Sequence, residues 1–482
     1  MAGLRRSFAY SFAEKYTLLL LGMAGTMVIA RVLTPAEIGL YSIAAVLVSL
    51  VQVLRDFGVG QYLIQEAELT TAKLRAALAV SLGVAWTLAA LVLLLSLPVA
   101  RFYHDQRLAG LLQLLALNFV LVPFSALTLP LLRRQLRFAA IFAINGANAV
   151  TNLAVSVSLA LLGCSYLSLA WATLAGSVAT LLTSMLFRPA MLPWLPSRHG
   201  AGALLRFGAY ATGGVLVDEL GVAAPGLVIG RLIGVEAVAL FSRALGLLGV
   251  FNQAVTSAVS PVVFPLFAQR LRDGIPLRRV YLETTAYLTA LSWPFFLFVA
   301  CMALPLVNLL YGPQWNGAVP LIRVMCFSSA MYSMFSMARY LFVASGAVKT
   351  QAKLDLLTVP LRIGLLLLSA PFGLYWVAWA VVGGAVLRCG LTCRYLARHG
   401  AISVPDLLLA LRQTVLLTAM TGLAPGAVLL WLPAATGNGA IVWQLALAGA
   451  GALLGWLLGL RLCHHPMADE LLSWWRKRPV VI

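Results

Sequence analysis

The sequence predicts an all-α polytopic membrane protein of about 14 transmembrane helices, built as two parallel six-helix repeats plus two extra helices. Three observations carry this. Hydrophobic stretches of about 20 residues recur from end to end of a chain that is 62% hydrophobic and 10% charged, and a stretch of that length crosses a bilayer as a helix. Lys and Arg crowd alternate loops. A block of the first half also returns in the second: Val28-Ile29-Ala30-Arg31 and Leu40-Tyr41-Ser42 reappear as Val228-Ile229-Gly230-Arg231 and Leu240-Phe241-Ser242, with Ala9-Tyr10 matching Ala209-Tyr210, always 200 residues apart. One duplication of a whole lobe in so apolar a chain points to a transporter whose substrate path lies between two similar halves. A transmembrane β-barrel would show short alternating segments instead.

The expected spans run approximately over 10–30, 38–60, 76–98, 108–130, 139–162, 167–187, 207–230, 237–262, 282–309, 319–343, 354–373, 375–396, 412–432 and 441–462. Arg5, Arg6 and Lys15 stand at the head of the first run, which is too long for a signal-peptide core and lacks a cleavage site. Spans 1–6 form an N-lobe over 1–187. A cytoplasmic linker, 188–206, follows, with Pro189, Pro193, Pro196, Arg198, His199 and Arg206. Spans 7–12 form the C-lobe over 207–396, and the even number of spans in each lobe makes the repeats parallel. Spans 13 and 14, within 397–462, have no counterpart. In the tail, 463–482, Leu471, Leu472, Trp474 and Trp475 adjoin Arg476, Lys477 and Arg478. That pattern reads as a cytoplasmic interfacial helix or as a basic and aromatic retention patch.

The net charge of +19 suggests nucleic acid until it is placed on this topology. With the N-terminus inside, the inner segments hold 25 of the 34 Lys and Arg residues, and the outer loops hold four: Arg31, Arg101, Arg107 and Arg231. The bias follows the positive-inside rule and puts both termini in the cytoplasm. The basic charge thus sets orientation and meets anionic lipid heads, not nucleic acid. The six cysteines are scattered as small apolar packing residues. Cys389 and Cys393, with Cys463-His464-His465, match no zinc spacing, so no metal is expected. There is no phosphate-binding G-x-x-x-x-G-K-[ST] loop, no H-E-x-x-H and no G-x-S-x-G.

Several short motifs then fall in a specific order. Arg31-Val32-Leu33-Thr34-Pro35-Ala36-Glu37-Ile38-Gly39-Leu40-Tyr41 follows the first span. Asp56-Phe57-Gly58 and Leu63-Ile64-Gln65 follow the second. Leu132-Arg133-Arg134 with Phe138 follows the fourth, and Ser260-Pro261, Phe264-Pro265 and Phe267-Ala268 close the eighth. Along nearly its whole length the chain resembles the polysaccharide transporter branch of the MOP superfamily, the bacterial flippases of O-antigen and exopolysaccharide repeat units. The resemblance implies a substrate: an oligosaccharide joined through pyrophosphate to undecaprenol, moved across the cytoplasmic (inner) membrane by alternating access. No cofactor is expected beyond a coupling proton or Na⁺. The implied partners are the lipid-linked oligosaccharide, membrane lipids, a polymerase and other polysaccharide assembly proteins, and the transport unit is expected to be monomeric.

An anionic headgroup needs a cationic cavity. Arginine suits it, because its planar fork pairs with phosphate oxygens and stays charged. Ionisable residues inside spans are costly and hence functional candidates. Arg362 sits near the midplane of span 11, and Arg243 about two turns below the outer surface in span 8. Both read as cavity residues. Arg323, Arg55 and Arg339 lie nearer span ends, where they could snorkel to headgroups or bind the same ligand. Asp218 and Glu219 fall at the middle of span 7. An acid there could pair with Arg243, or bind a proton or Na⁺. Pro225 frees the carbonyl of Gly221. With Gly213, Gly214 and Gly226 this makes span 7 a candidate bending gate, against ordinary small-residue packing. Asn145, Asn148 and Asn152 form one stripe in span 5, able to bind sugar hydroxyls or a neighbouring helix.

The expected function is therefore flipping of a lipid-linked oligosaccharide for surface polysaccharide synthesis, without covalent catalysis. A cation-coupled multidrug antiporter of the same superfamily is the nearest alternative; it would favour twelve spans and an acid-rich interior. A membrane polysaccharide polymerase or ligase would need a large outer loop, which this chain lacks.

Overall fold

A computed structural model describes residues 2–197, 201–399, 402–432 and 437–468. Among these it is helical throughout, with no strand. The chain divides into two compact units, Met1–Ala239 and Leu240–Ile482.

The first unit contains α1 (Ala2–Val32), α2 (Pro35–Asp56), α3 (Val59–Gln65), α4 (Thr71–Tyr103), α5 (Arg107–Leu121), α6 (Pro123–Ala126), α7 (Thr128–Arg134), α8 (Phe138–Leu161), α9 (Leu167–Leu186) and α10 (Ala201–Leu232). The division falls within α11 (Val235–Phe251). The second unit continues with α12 (Ser257–Arg272), α13 (Leu277–Cys301), α14 (Ala303–Leu310), α15 (Val319–Phe335), α16 (Ala338–Ala344), α17 (Val348–Ser369), α18 (Leu374–His399), α19 (Val404–Trp431) and α20 (Asn438–Leu462). These units cut across the lobes expected from the sequence: α10, which would open the C-lobe, packs along α2 and α4 within the first unit.

The short motifs have local physical causes. Thr34 begins α2 as a capping box: its hydroxyl accepts from the Glu37 N–H at 3.4 Å, and its own N–H donates to Glu37 Oε2 at 2.7 Å. Pro35, which has no N–H to lose, takes the first helical position. Phe57 and Gly58 end α2 with left-handed backbone, φ 37° and 63°, which turns the chain into α3. Arg134 reaches back to the end of α3 and donates to the carbonyls of Leu63 and Ala67 at 3.0 Å each, and to that of Glu66. A cation there satisfies orphan carbonyls and the negative end of the helix. Two motifs far apart in sequence are thus one joint. Beside it, a hydrogen bond from the Lys73 ammonium holds the Glu66 carboxyl below the usual carboxylate range.

Twelve helices are long and apolar enough to cross a membrane, and the bent pair α5 and α6–α7 raises this to 13 among the described residues. The bend is 42° and lies at the fourth expected span; Pro123 opens its second limb. The remaining expected span coincides with α10, which is 32 residues long and runs through Pro225 without a helical break. Arg31 and Arg231 both stand in the last turn of their helices, α1 and α10. In the second unit, α11 passes into α12 through a π-helical turn, Asn252–Thr256. The expected interfacial helix of the tail lies outside the described residues.

Candidate functional site

The first unit holds a cavity of about 650 Å³. The broken span supplies one wall, with Pro123, Ser125 and Arg133. The end of α2 supplies Arg55 and Asp56, α8 supplies Asn145 and Asn148, and α9 supplies Ser177 and Thr180. Irregular backbone at membrane depth is tolerated where it lines such a space. The Arg55 side chain is only 17% exposed. Its Nη2 donates to Asp56 Oδ1 at 2.6 Å, and its Cζ stands 6.0 Å from the Phe119 ring centroid.

The asparagine stripe bonds to helices on both sides. Asn148 Nδ2 donates to Thr180 Oγ1 of α9 at 2.8 Å; the close approach is allowed by Gly176, where a Cβ would stand 3.2 Å from that nitrogen. Asn145 Nδ2 donates to Glu14 Oε1 of α1 at 2.6 Å. Both asparagines still face the cavity. Glu14 went unremarked in the sequence because it sits among Lys15 and Tyr16 at the head of the first apolar run. The available signal was a carboxylate within an otherwise apolar span.

Asp218 and Glu219 are both half-buried in α10. Glu219 Oε1 accepts from Ser49 Oγ of α2 at 2.8 Å, a pairing no spacing rule foretells. Gly221 and Pro225 are buried on the same helix. At Gly226 a Cβ would stand 3.1 Å from Val46 of α2, the close packing that small residues permit.

In the second unit, Arg243 of α11 is enclosed by aromatic rings. Its Cζ lies 5.6 Å from the Tyr311 centroid and 5.1 Å from that of Trp315. Trp315 is fully buried in the 3₁₀ turn Pro313–Ala318. A desolvated cation over aromatic faces is stabilised by about 2 kcal/mol, which lowers the cost of holding it within a span. Its buried Nε has no hydrogen-bond partner.

Arg362 of α17 also has a buried Nε without a partner. Its stem lies over Gly384 of α18, where a Cβ would stand 3.2 Å from Arg362 Cγ. Asp355, Thr358 and Arg362 fall on one face of α17. Asp355, 8% exposed, accepts from Arg388 Nη2 of α18 at 2.8 Å and from Gln351 Nε2 at 2.7 Å. The signal for this stripe in the sequence is the i, i+3, i+7 spacing of Asp355, Thr358 and Arg362. Arg323 and Arg339 are exposed. Among the described residues no cluster of three or more His, Cys, Asp or Glu side chains could hold a metal.

The family model "Polysaccharide biosynthesis protein" matches residues 28–320, more than half of the chain. The chain belongs to that family. It is similar to the lipopolysaccharide biosynthesis protein WzxC of Escherichia coli (strain K12), 25% identical over 61% of this chain and 61% of that protein. It is similar to the teichuronic acid biosynthesis protein TuaB of Bacillus subtilis (strain 168), 24% identical over 55% of each. It is also similar to the succinoglycan biosynthesis transport protein ExoT of Rhizobium meliloti (strain 1021), 24% identical over 60% of this chain and 58% of that one. The matches span about three fifths of the length of these relatives.

Among solved structures, the lipid II flippase MurJ in an inward closed conformation has a TM-score of 0.76, covering 94% of this chain and 99% of that one at 13% identity. An inward-facing MATE family multidrug transporter of the MOP superfamily has a TM-score of 0.61, covering 83% and 94% at 14% identity. At such identities the likeness is one of fold. The family indicated by the short motifs is thus a polysaccharide biosynthesis one, and this chain is a multi-pass member of it whose fold is that of MurJ and the MATE transporter.

Proposed function

We propose that this chain is a bacterial inner-membrane flippase that carries undecaprenyl-pyrophosphate-linked oligosaccharide units across the bilayer by alternating access, for O-antigen, capsule or exopolysaccharide synthesis. The observation that supports it most is the pair Arg243 and Arg362. Each keeps a buried, unpartnered Nε inside an apolar helix, and among the described residues neither forms an ion pair. Cationic groups at membrane depth whose Nε has no protein partner suit an anionic group that comes and goes. Arg55, Arg323 and Arg339 would bind the same pyrophosphate as it enters and leaves. The amides of Asn145 and Asn148 would meet sugar hydroxyls.

No bond is made or broken in this reading, and no cofactor is needed. Energy would come from a proton or Na⁺ through Asp218, Glu219 or Glu14, and α10 would bend at Gly221 and Pro225. Lipid-linked oligosaccharide and membrane lipids would be its ligands, and a polymerase would receive the flipped unit.

The test is Arg362→Ala and Arg362→Lys, read as surface-glycan export with membrane abundance measured alongside. The alanine variant is expected to be present and inactive. The lysine variant should be partly active, because a point charge does not reproduce the bidentate fork. Full export by a normally abundant alanine variant refutes the role.

A further inference from the structure

The second unit carries a groove apart from the residues assigned above to transport. It lies between α12 and α13 and has a volume of about 840 Å³. Val263 and Leu266 of α12 face Leu288 and Leu291 of α13, and Met467, just beyond α20, closes one side. Its charged groups sit at one end only: Arg270 in the last turn of α12, with Arg279 and Glu283 in the first turns of α13. These come together because the short turn after Arg272 folds α13 back on α12.

We propose that this groove binds one anionic glycerophospholipid of the surrounding leaflet, its phosphate on Arg270 and Arg279 and an acyl chain along the apolar walls. The length fits. From Arg279 to Leu291 α13 rises about 18 Å, and one leaflet contributes about 15 Å of hydrocarbon. The charge fits as well: two arginines face one carboxylate. Arg270 is exposed and has no ion pair among the described residues. Arg279 meets Glu283 at 2.8 Å but is 85% exposed, a screened contact that a phosphate can replace.

The chain's own tail is a poorer occupant. The fourteen residues after Ala468 carry three cations, Arg476, Lys477 and Arg478, against two carboxylates, Asp469 and Glu470, so the tail brings a net positive charge to a rim that is already basic. Met467 instead forms a fixed wall. His465 Nδ1 accepts its backbone N–H at 3.2 Å, and His465 is buried against Thr414 of α19.

The experiment places the full chain in nanodiscs of phosphatidylglycerol mixed with phosphatidylcholine and counts retained lipids by native mass spectrometry. One phosphatidylglycerol should stay bound where phosphatidylcholine is lost. Arg270→Gln with Arg279→Gln should lower that retention about tenfold at unchanged melting temperature, since both residues are exposed. Leu266→Trp should lower it by filling the groove. Deleting residues 469–482 should leave it unchanged. Equal retention of the two lipids, or no effect of the double substitution, overturns the proposal. So does a gain of lipid on tail deletion, which would assign the groove to the tail, or full displacement by equimolar undecaprenyl phosphate, which would assign it to the transported lipid.

Discussion

Asn145 on α8 donates its amide to the carboxylate of Glu14 on α1 across 2.6 Å, while its own side chain lines the cavity of the first unit. A carboxylate inside a span is costly unless it is bonded or protonated. An amide is a suitable partner for both forms: it donates N–H to the ionised carboxylate and, turned over, accepts O–H from the acid.

Glu14→Gln keeps a hydrogen bond to Asn145 and removes the titration. Stability should change by less than about 1 kcal/mol. If Glu14 carries the coupling proton, transport by reconstituted protein should fall about tenfold and lose its dependence on a pH gradient. Gradient-driven transport at the original rate by the glutamine variant would leave Glu14 a structural tie between α1 and α8.

Asp355 and Arg388 join α17 to α18, with Gln351 and Thr358 completing the network. Removing Asp355 leaves the half-buried Arg388 without its charged acceptor, at a cost of about 1–3 kcal/mol. Asp355→Ala should lower the melting temperature sharply. Asp355→Leu combined with Arg388→Met should recover most of the loss, and a double-mutant cycle measures the coupling. Additive effects would show that the pair does not hold these helices together.

His465 stands beyond the last span, 1% exposed. Its Nδ1 accepts from Met467 N–H, so its proton sits on Nε2, which faces Thr414 Oγ1 at 3.3 Å. Burial lowers its pKa below the ordinary 6.5. The folded state thus holds the neutral ring where the unfolded chain would take up a proton. This contribution to stability is complete above pH 6.5 and is lost as pH falls below it. Thermal unfolding in detergent should be less favourable to the fold at about pH 5 than at about pH 8, and His465→Gln should flatten that slope. An unchanged slope would assign the acid sensitivity elsewhere.

The charge bias predicts that Arg101–Arg107 and Arg272–Arg278 lie on opposite sides of the membrane. Reporter fusions in the two segments should give opposite activities. The same side for both contradicts a fourteen-span topology with both termini inside.

The fold class was legible in the chain because lipid leaves few choices. A backbone without water must bond to itself, so apolar runs of this length become helices wherever they occur. Local chemistry was equally readable. Thr34, Pro35 and Glu37 are all the information a helix start needs, and the recurring Arg31 and Arg231 mark matched helix ends. The motif order also indicated the family, because it records joints such as Arg134 on the end of α3, although the joint itself was invisible.

The tertiary structure decided which polar groups meet. Hydropathy reports depth, not direction, and a helix turns its side chains by about 100° per residue. Depth therefore selected Arg243 and Arg362, but nothing in the sequence announced the Tyr311 and Trp315 rings around one or Gly384 beneath the other. The pairing of Glu219 with Ser49, of Glu14 with Asn145 and of Asp355 with Arg388 depends on the rotation and register of neighbouring helices. Those are set by where small residues let backbones approach, as Gly226 does at Val46. That information is spread over packing surfaces far apart in the chain, so only the folded molecule brings it together.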